Sequence, residues 1–126
     1  MNALILGLGS IGRRHARVLR SIDPNFTIFA LRSGKTDGSE EGVMDIHATS
    51  EVESVDLAII SSPTDRHRSD IEKVLPFKPF FFLEKPLALS VRDGEAIVDM
   101  MSREKCESYV GCVFRFLPGL RELHDE

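Results

Sequence analysis

A strand-sized apolar run, Ala3-Leu4-Ile5-Leu6, leads directly into GLGSIG at residues 7–12, and a segment with helical spacing follows. Gly7, Gly9 and Gly12 therefore satisfy G-x-G-x-x-G in strand–turn–helix order, which is the context that pattern requires. Few sequence features constrain a fold more. The first glycine permits a tight turn, the second lets a pyrophosphate reach the backbone, and the third lets helix and strand pack closely. Ser10 and Ile11 complete the turn, so a bound phosphate would face a helix N-terminus whose N–H groups and dipole favour negative charge. Taken alone, the glycines also fit a βα turn that binds nothing, or one that cradles a different nucleotide-like ligand.

The rest of the chain repeats the alternation. Ile11, His15, Val18, Leu19 and Ile22 share one helical face, and Asp23-Pro24-Asn25 ends that helix. Phe26–Leu31 reads as a second strand, residues 32–42 as a polar loop without periodicity, and Val43–Ile46 as a short strand. Ser50–Ser54 is at most a helical turn. Val55–Ile60 is a nearly continuous apolar run, as a strand buried on both faces should be. Ser61-Ser62-Pro63-Thr64 breaks it, and a helix carrying His67, Ile71, Val74 and Leu75 on one face runs to Pro76. Phe80–Leu83 is the next buried strand, ending in Glu84-Lys85-Pro86. Ser90 is placed as an N-cap with Asp93 in the first turn, and Val91, Gly94, Ile97, Val98 and Met101 form that helix's inner face. Tyr109–Phe114 reads as the last strand.

Solid apolar strands alternating with helices imply a mostly parallel, doubly wound α/β sheet covered on both faces. Ligands of such sheets bind outside the carboxyl ends of the strands. Gly7–Gly12, Leu31–Ser33, Ser61–Thr64 and Glu84–Pro86 all follow strand ends, so they are expected to converge on one crevice.

The chain has 126 residues, 42% of them hydrophobic, enough to bury the core of one small domain. A net charge of −4 gives no support for a nucleic-acid or membrane-surface partner. The N-terminus enters a strand without a basic leader, so a cytoplasmic location is expected. Two cysteines, Cys106 and Cys112, suggest neither a disulfide framework nor a metal site, and Cys112 reads as a small buried hydrophobe. His15 reads as a packing residue, and His47 and His124 as surface residues. His67 stands between a place near a ligand and a half-buried core position. Arg17 and Arg20 read as a solvated face, while Arg13 is near enough to the glycine turn to touch a phosphate. Phe77, Phe80, Phe81 and Phe82 are expected in the core; one facing solvent, or an exposed Phe114 or Phe116, would mark an interface.

GLGSIGRRH at 7–15, ISSPTDRH at 60–67, LEKPLALS at 83–90 and GCVFRFLPGLRELH at 111–124 run in the order seen in one family. The chain resembles the N-terminal, Rossmann-like domain of the glucose-fructose oxidoreductase, inositol dehydrogenase and rhizopine-catabolism (Gfo/Idh/MocA) family. That resemblance implies a nicotinamide-dependent oxidoreductase of sugars, cyclitols or related hydroxyl compounds. By the same resemblance Lys85 is catalytic, beside the nicotinamide and the substrate hydroxyl. Glu84 and Pro86 support that pocket, and Ser61, Ser62, Pro63, Thr64 and His67 run along the dinucleotide. Arg115 lies on the substrate side. Residues 1–117 would be the dinucleotide-binding domain and residues 118–126 the start of the connection to the family's second α/β domain, which also carries the usual oligomer interface. Without that domain the chain is expected to bind cofactor and not turn over.

The loop at 32–42 replaces the helix usual after the second strand. Where NAD domains place an acidic residue, this chain has Leu31-Arg32-Ser33. Arg32 pairing with a 2′-phosphate, with Ser33 hydrogen-bonding it, favours NADP over NAD, although Asp37 in the loop offers the acidic alternative. Two other functions fit parts of the pattern: a non-catalytic dinucleotide-binding or interaction module, and a methyltransferase fold, in which Lys85 would have no evident task.

Overall fold

In the computed structural model, which describes residues 1–34 and 39–120, the first apolar run lies at the centre of the sheet. The elements in chain order are β1 (Asn2–Leu6), α1 (Ser10–Ile22), β2 (Thr27–Leu31), β3 (Val43–Ile46), β4 (Leu57–Ile60), α2 (His67–Val74), β5 (Phe80–Leu83), α3 (Val91–Glu104) and β6 (Ser108–Val110). The six strands are ordered β3-β2-β1-β4-β5-β6, and every neighbouring pair is parallel. This is the strand order of dinucleotide-binding doubly wound sheets, with its switch point between β1 and β4.

The two faces follow from the two-residue period of a strand. Leu4, Leu6, Ala58, Ile60, Phe81 and Leu83 pack with Ile71 and Val74 of α2 and Ile97 and Met101 of α3. Ala3, Ile5, Ile28, Ala30 and Ile59 face the other way, against Ala16 and Leu19 of α1. Ser90 caps α3, its hydroxyl accepting from the Asp93 N–H at 3.1 Å. Among the described residues, none between β2 and β3 is helical. Asp37 and His124 lie outside the described residues, as does most of the connection expected from 118 onward; residues 118–120 are helical. No helix among the described residues is long and apolar enough to cross a membrane.

Several expectations need correction. The buried face of α1 is Gly12, Ala16 and Leu19, while Ile11, Val18 and Ile22 are exposed. The cause is distance: a Cβ on Gly12 would collide with the Gly7 carbonyl oxygen, so α1 meets the sheet through its smallest residues. The stripe Ile11-His15-Val18-Ile22 is thereby turned sideways. Likewise α3 buries Ile97 and Met101 and leaves Val91 and Val98 in solvent, because it touches the sheet along one narrow line.

The last strand is only Ser108–Val110. Beyond it the Val113 N–H donates to the Gly111 carbonyl at 3.1 Å, with Cys112 at φ −81° and ψ 77°. Those are the angles of an inverse γ-turn, which takes the chain off the sheet edge. Cys112 is therefore exposed, not buried. Phe114 and Phe116 are exposed too, and Phe80 is partly so while Phe81 is fully buried.

Arg17 lies on the solvated face as expected, and the arginines of α1 also bind the chain that follows β2. Arg13 donates to the Ser39 carbonyl at 3.0 Å and lies 3.3 Å from Glu40. Arg17 pairs with the same carboxylate at 3.0 Å, and Arg20 donates to the Glu41 carbonyl. Together they hold residues 39–41 against α1, so Arg13 has a partner other than a phosphate.

Candidate active-site cleft

The turn after β1 is shaped by its glycines in three different ways. Gly7 has φ +94°, and a Cβ there would meet the backbone of Ser61 and Ser62. Gly12 sets the close approach of α1. Gly9 has nothing within 4 Å of where its Cβ would stand, so that side of the turn is open space. Among the described residues no side chain caps α1, and its first turn holds no acidic residue. Its terminal N–H groups are thus offered to an incoming anion rather than spent internally.

The β4 loop closes the other side of the switch point. The Ser61 N–H donates to the Leu6 carbonyl at 2.8 Å, and its hydroxyl donates to the Gly7 carbonyl at 2.9 Å. Ser61 thus acts on the shape of the glycine turn. Ser62 and Pro63 line the cleft; the Ser62 hydroxyl oxygen is buried with no hydrogen-bond partner among the described residues. Thr64 lines a separate groove between α2 and α3. His67 is buried, with Nε2 2.9 Å from the Ser62 carbonyl oxygen and Nδ1 3.1 Å from that of Leu87. It ties the loop after β4 to the loop after β5 and does not line the cleft.

The cleft has a volume of about 640 Å³ and is lined by Gly7, Gly9, Arg32, Ser33, Ser62 and Pro63, together with residues the sequence reading did not select. These are His47, Ala48 and Thr49 after β3, and Arg66, Asp70 and Lys73 around α2. The spacing 66, 70, 73 is one helical face, the signal that could have found the second group. Asp70 is buried and accepts from Lys73 Nζ at 2.6 Å. The loop after β3 is held by Glu51, whose carboxylate accepts the His47 and Ala48 N–H groups at 2.7 Å each. Those two bonds hold its carboxyl below the usual carboxylate pKa. Arg32 lines the cleft as expected, but its guanidinium is buried and lies 3.5 Å from Asp45.

Glu84-Lys85-Pro86 stands on the same carboxyl edge, one strand beyond the cleft, and is not part of its lining. Glu84 places one oxygen 2.7 Å from His15 Nε2, and the other accepts the Lys85 N–H at 3.3 Å. Lys85 is exposed, and among the described residues its ammonium has no partner. Arg115 lies in the turn Val113–Phe116, exposed and outside the cleft.

An open space at Gly9, an uncapped helix terminus and a cleft running from Gly7 to Ser33 suit a dinucleotide, pyrophosphate at α1 and adenosine toward β2 and β3. Comparison with known proteins agrees. Residues 1–112 match the family described as oxidoreductases with an NAD-binding Rossmann fold. Similar proteins include the inositol 2-dehydrogenase/D-chiro-inositol 3-dehydrogenase of Lacticaseibacillus casei, 26% identical over 97% of this chain and 38% of that one. The inositol 2-dehydrogenase of Rhizobium meliloti is 30% identical over 90% of this chain and 36% of its own length. Among solved structures, UDP-N-acetylglucosamine 3-dehydrogenase from Acidithiobacillus ferrooxidans superposes with a TM-score of 0.79 at 20% identity, covering 99% of this chain and 41% of that one. The chain thus spans about two fifths of the length of the relatives it matches. With the fold, the glycine turn and the residue match in agreement, the chain belongs to the Gfo/Idh/MocA family of oxidoreductases, of which residues 1–112 are the NAD-binding Rossmann fold.

Proposed function

We propose that this chain is the cofactor-binding part of an NAD(P)-dependent oxidoreductase acting on the CH–OH group of a cyclitol, sugar or related polyol. The observation that carries the reading is the shared edge: the glycine turn with its uncapped α1 terminus follows β1, and Lys85, whose ammonium has no partner among the described residues, follows β5, two strands along on the same carboxyl edge of the parallel sheet. A bound dinucleotide supplies a hydride acceptor or donor. The α1 N–H groups hold its pyrophosphate, Ser62 and Pro63 wall the cleft, and Ser33 with Arg32 meets the adenosine ribose. Arg66, exposed at the mouth, offers a planar cation to the base. Lys85 places a positive charge where a substrate hydroxyl becomes an alkoxide, or accepts the proton that the hydroxyl loses. Arg115 is the substrate-side residue of this reading.

The exposed Val113, Phe114, Phe116 and Leu117 form an apolar surface after β6, which suits contact with a substrate-binding domain or a second subunit. On this reading the chain alone binds cofactor without turning over a substrate. NADP is preferred to NAD through Arg32, in competition with Asp45 for the guanidinium.

Calorimetric titration with NADPH and with NADH tests this. Micromolar binding, tighter for NADPH, is expected; tighter NADH binding removes the assigned role of Arg32, and binding of neither removes the function. Gly9→Ala supplies a separate check, because its Cβ would enter open space. Its folding stability is expected within about 1 kcal/mol of the parent, while dinucleotide affinity falls about tenfold or more, since only the ligand occupies that space. Thermal melts and the same titration read the two effects apart.

A further inference from the structure

The contact between His15 and Glu84 joins the two motifs on which the proposed function rests. His15 lies one turn into α1, the helix whose N-terminus faces the phosphates, and Glu84 precedes Lys85 at the end of β5. The imidazole Nε2 is 2.7 Å from Glu84 Oε1, and both side chains are about one-fifth exposed. The imidazole meets Phe82 of the same strand in a T-shaped contact, ring centroids 5.0 Å apart and planes at 63°. Its ring is thereby oriented by one β5 side chain while it bonds another. Glu84 spends its second oxygen on the Lys85 N–H, so the chain of contacts runs from α1 through His15 and Glu84 to the backbone of Lys85.

We propose that His15 is a positioning residue that fixes the Glu84–Lys85 segment relative to the pyrophosphate-binding helix, and so sets where the nicotinamide end of a bound dinucleotide meets Lys85. This rests on the cofactor reading above. Three observations support a role beyond packing. His15 is the partly buried member of a stripe whose neighbours Ile11, Val18 and Ile22 are exposed, so it is held by its contacts on β5 and not by a buried helix face. The bond goes to a carboxylate on the ligand edge of the sheet. The buried residues that α1 packs against lie on β1, β2 and β4, whereas His15 reaches β5, bonding Glu84 and meeting Phe82.

The role predicts a defect at one end of the ligand only. The ratio of affinities for NADPH and 2′-phospho-ADP-ribose, which lacks just the nicotinamide, isolates that end; NADH and ADP-ribose serve equally if NADH binds tighter. His15→Ala is expected to lower the dinucleotide's advantage about tenfold, the scale of one hydrogen bond to a charged group, with binding of the ADP-ribose compound changed less than twofold. His15→Gln, which can still donate to Glu84, is expected to restore most of the advantage. Val18→Ala, on the same exposed stripe, is the control that changes neither. In parallel, backbone amide spectra without ligand should show the Lys85 N–H displaced in His15→Ala and returned toward its parent position in His15→Gln.

Equal losses for both ligands, or no change in their ratio, overturn the proposal while leaving the cofactor reading intact. Failure of the unmodified chain to bind either ligand overturns the cofactor reading and the nicotinamide role with it. An unmoved Lys85 amide in His15→Ala overturns the mechanical link itself.

Discussion

Lys85→Met, made in the polypeptide that carries this domain together with a substrate-binding one, is expected to lower turnover of a polyol by about 10²–10⁴-fold, the range for removing a general acid–base group. Nucleotide affinity should change far less, because Lys85 would meet only the nicotinamide end and does not line the cleft proposed for the pyrophosphate and adenosine. Methionine keeps an unbranched side chain one atom shorter and removes the ammonium with its charge and protons. Lys85→Arg separates those two properties: a guanidinium retains a positive charge but does not give up its proton at any working pH. If charge alone matters, the arginine variant recovers much of the rate; if a proton must move at Nζ, it stays near the methionine variant. Rates with inositols under saturating NAD(P)⁺ read this directly. A methionine variant with unaltered turnover would remove Lys85 from the chemistry.

Gly7→Ala is the second large effect, and it falls on folding. The residue sits at φ +94°, where a Cβ is strained, and that Cβ would meet the backbone of Ser61 and Ser62 rather than a side chain able to move. Relief requires separating the loops after β1 and β4 at the switch point, which would also break the Ser61 bonds to the Leu6 and Gly7 carbonyls. Backbone strain and overpacking together suggest a loss of about 2–6 kcal/mol, a large part of the stability of a domain this size. Urea unfolding measures it. A loss below about 1 kcal/mol would mean that the turn relaxes freely and that the close approach is not required. The contrast with Gly9, two residues on and facing open space, separates a glycine needed by the fold from one needed by the ligand.

Much of this architecture is legible in the sequence because parallel strands buried on both faces are written as continuous apolar runs. Val43–Ile46 and Phe80–Leu83 form strands with the expected limits, and Ser90 caps α3 as its side chain suggests. What was not legible came from tertiary contact. Helical periodicity assigns Ile11, Val18 and Ile22 to the inside of α1, yet the helix must approach β1 too closely for them, and Gly12 and Ala16 take their place. The same rotation gives His15 its partner on β5, which no local spacing shows. His67 carries a hydrogen-bonding ring into the interior, and only its two carbonyl neighbours, one five and the other 20 residues away, reveal it as a tie between loops. The glycine turn and Lys85 could be selected as candidate site residues from the sequence; the lining by Arg66, Asp70 and Lys73 required knowing that α2 turns one face to the cleft.

The central claim is that loops from four strand ends, those of β1, β2, β4 and β5, act on one dinucleotide. Amide chemical-shift mapping of the chain during addition of NADPH, repeated with NADH, tests it most directly. The account predicts that Gly9–Gly12, Ser33, Ser62 and the Glu84–Lys85 segment shift together along one saturation curve. Shifts confined to a single loop, or none at millimolar nucleotide, would contradict it.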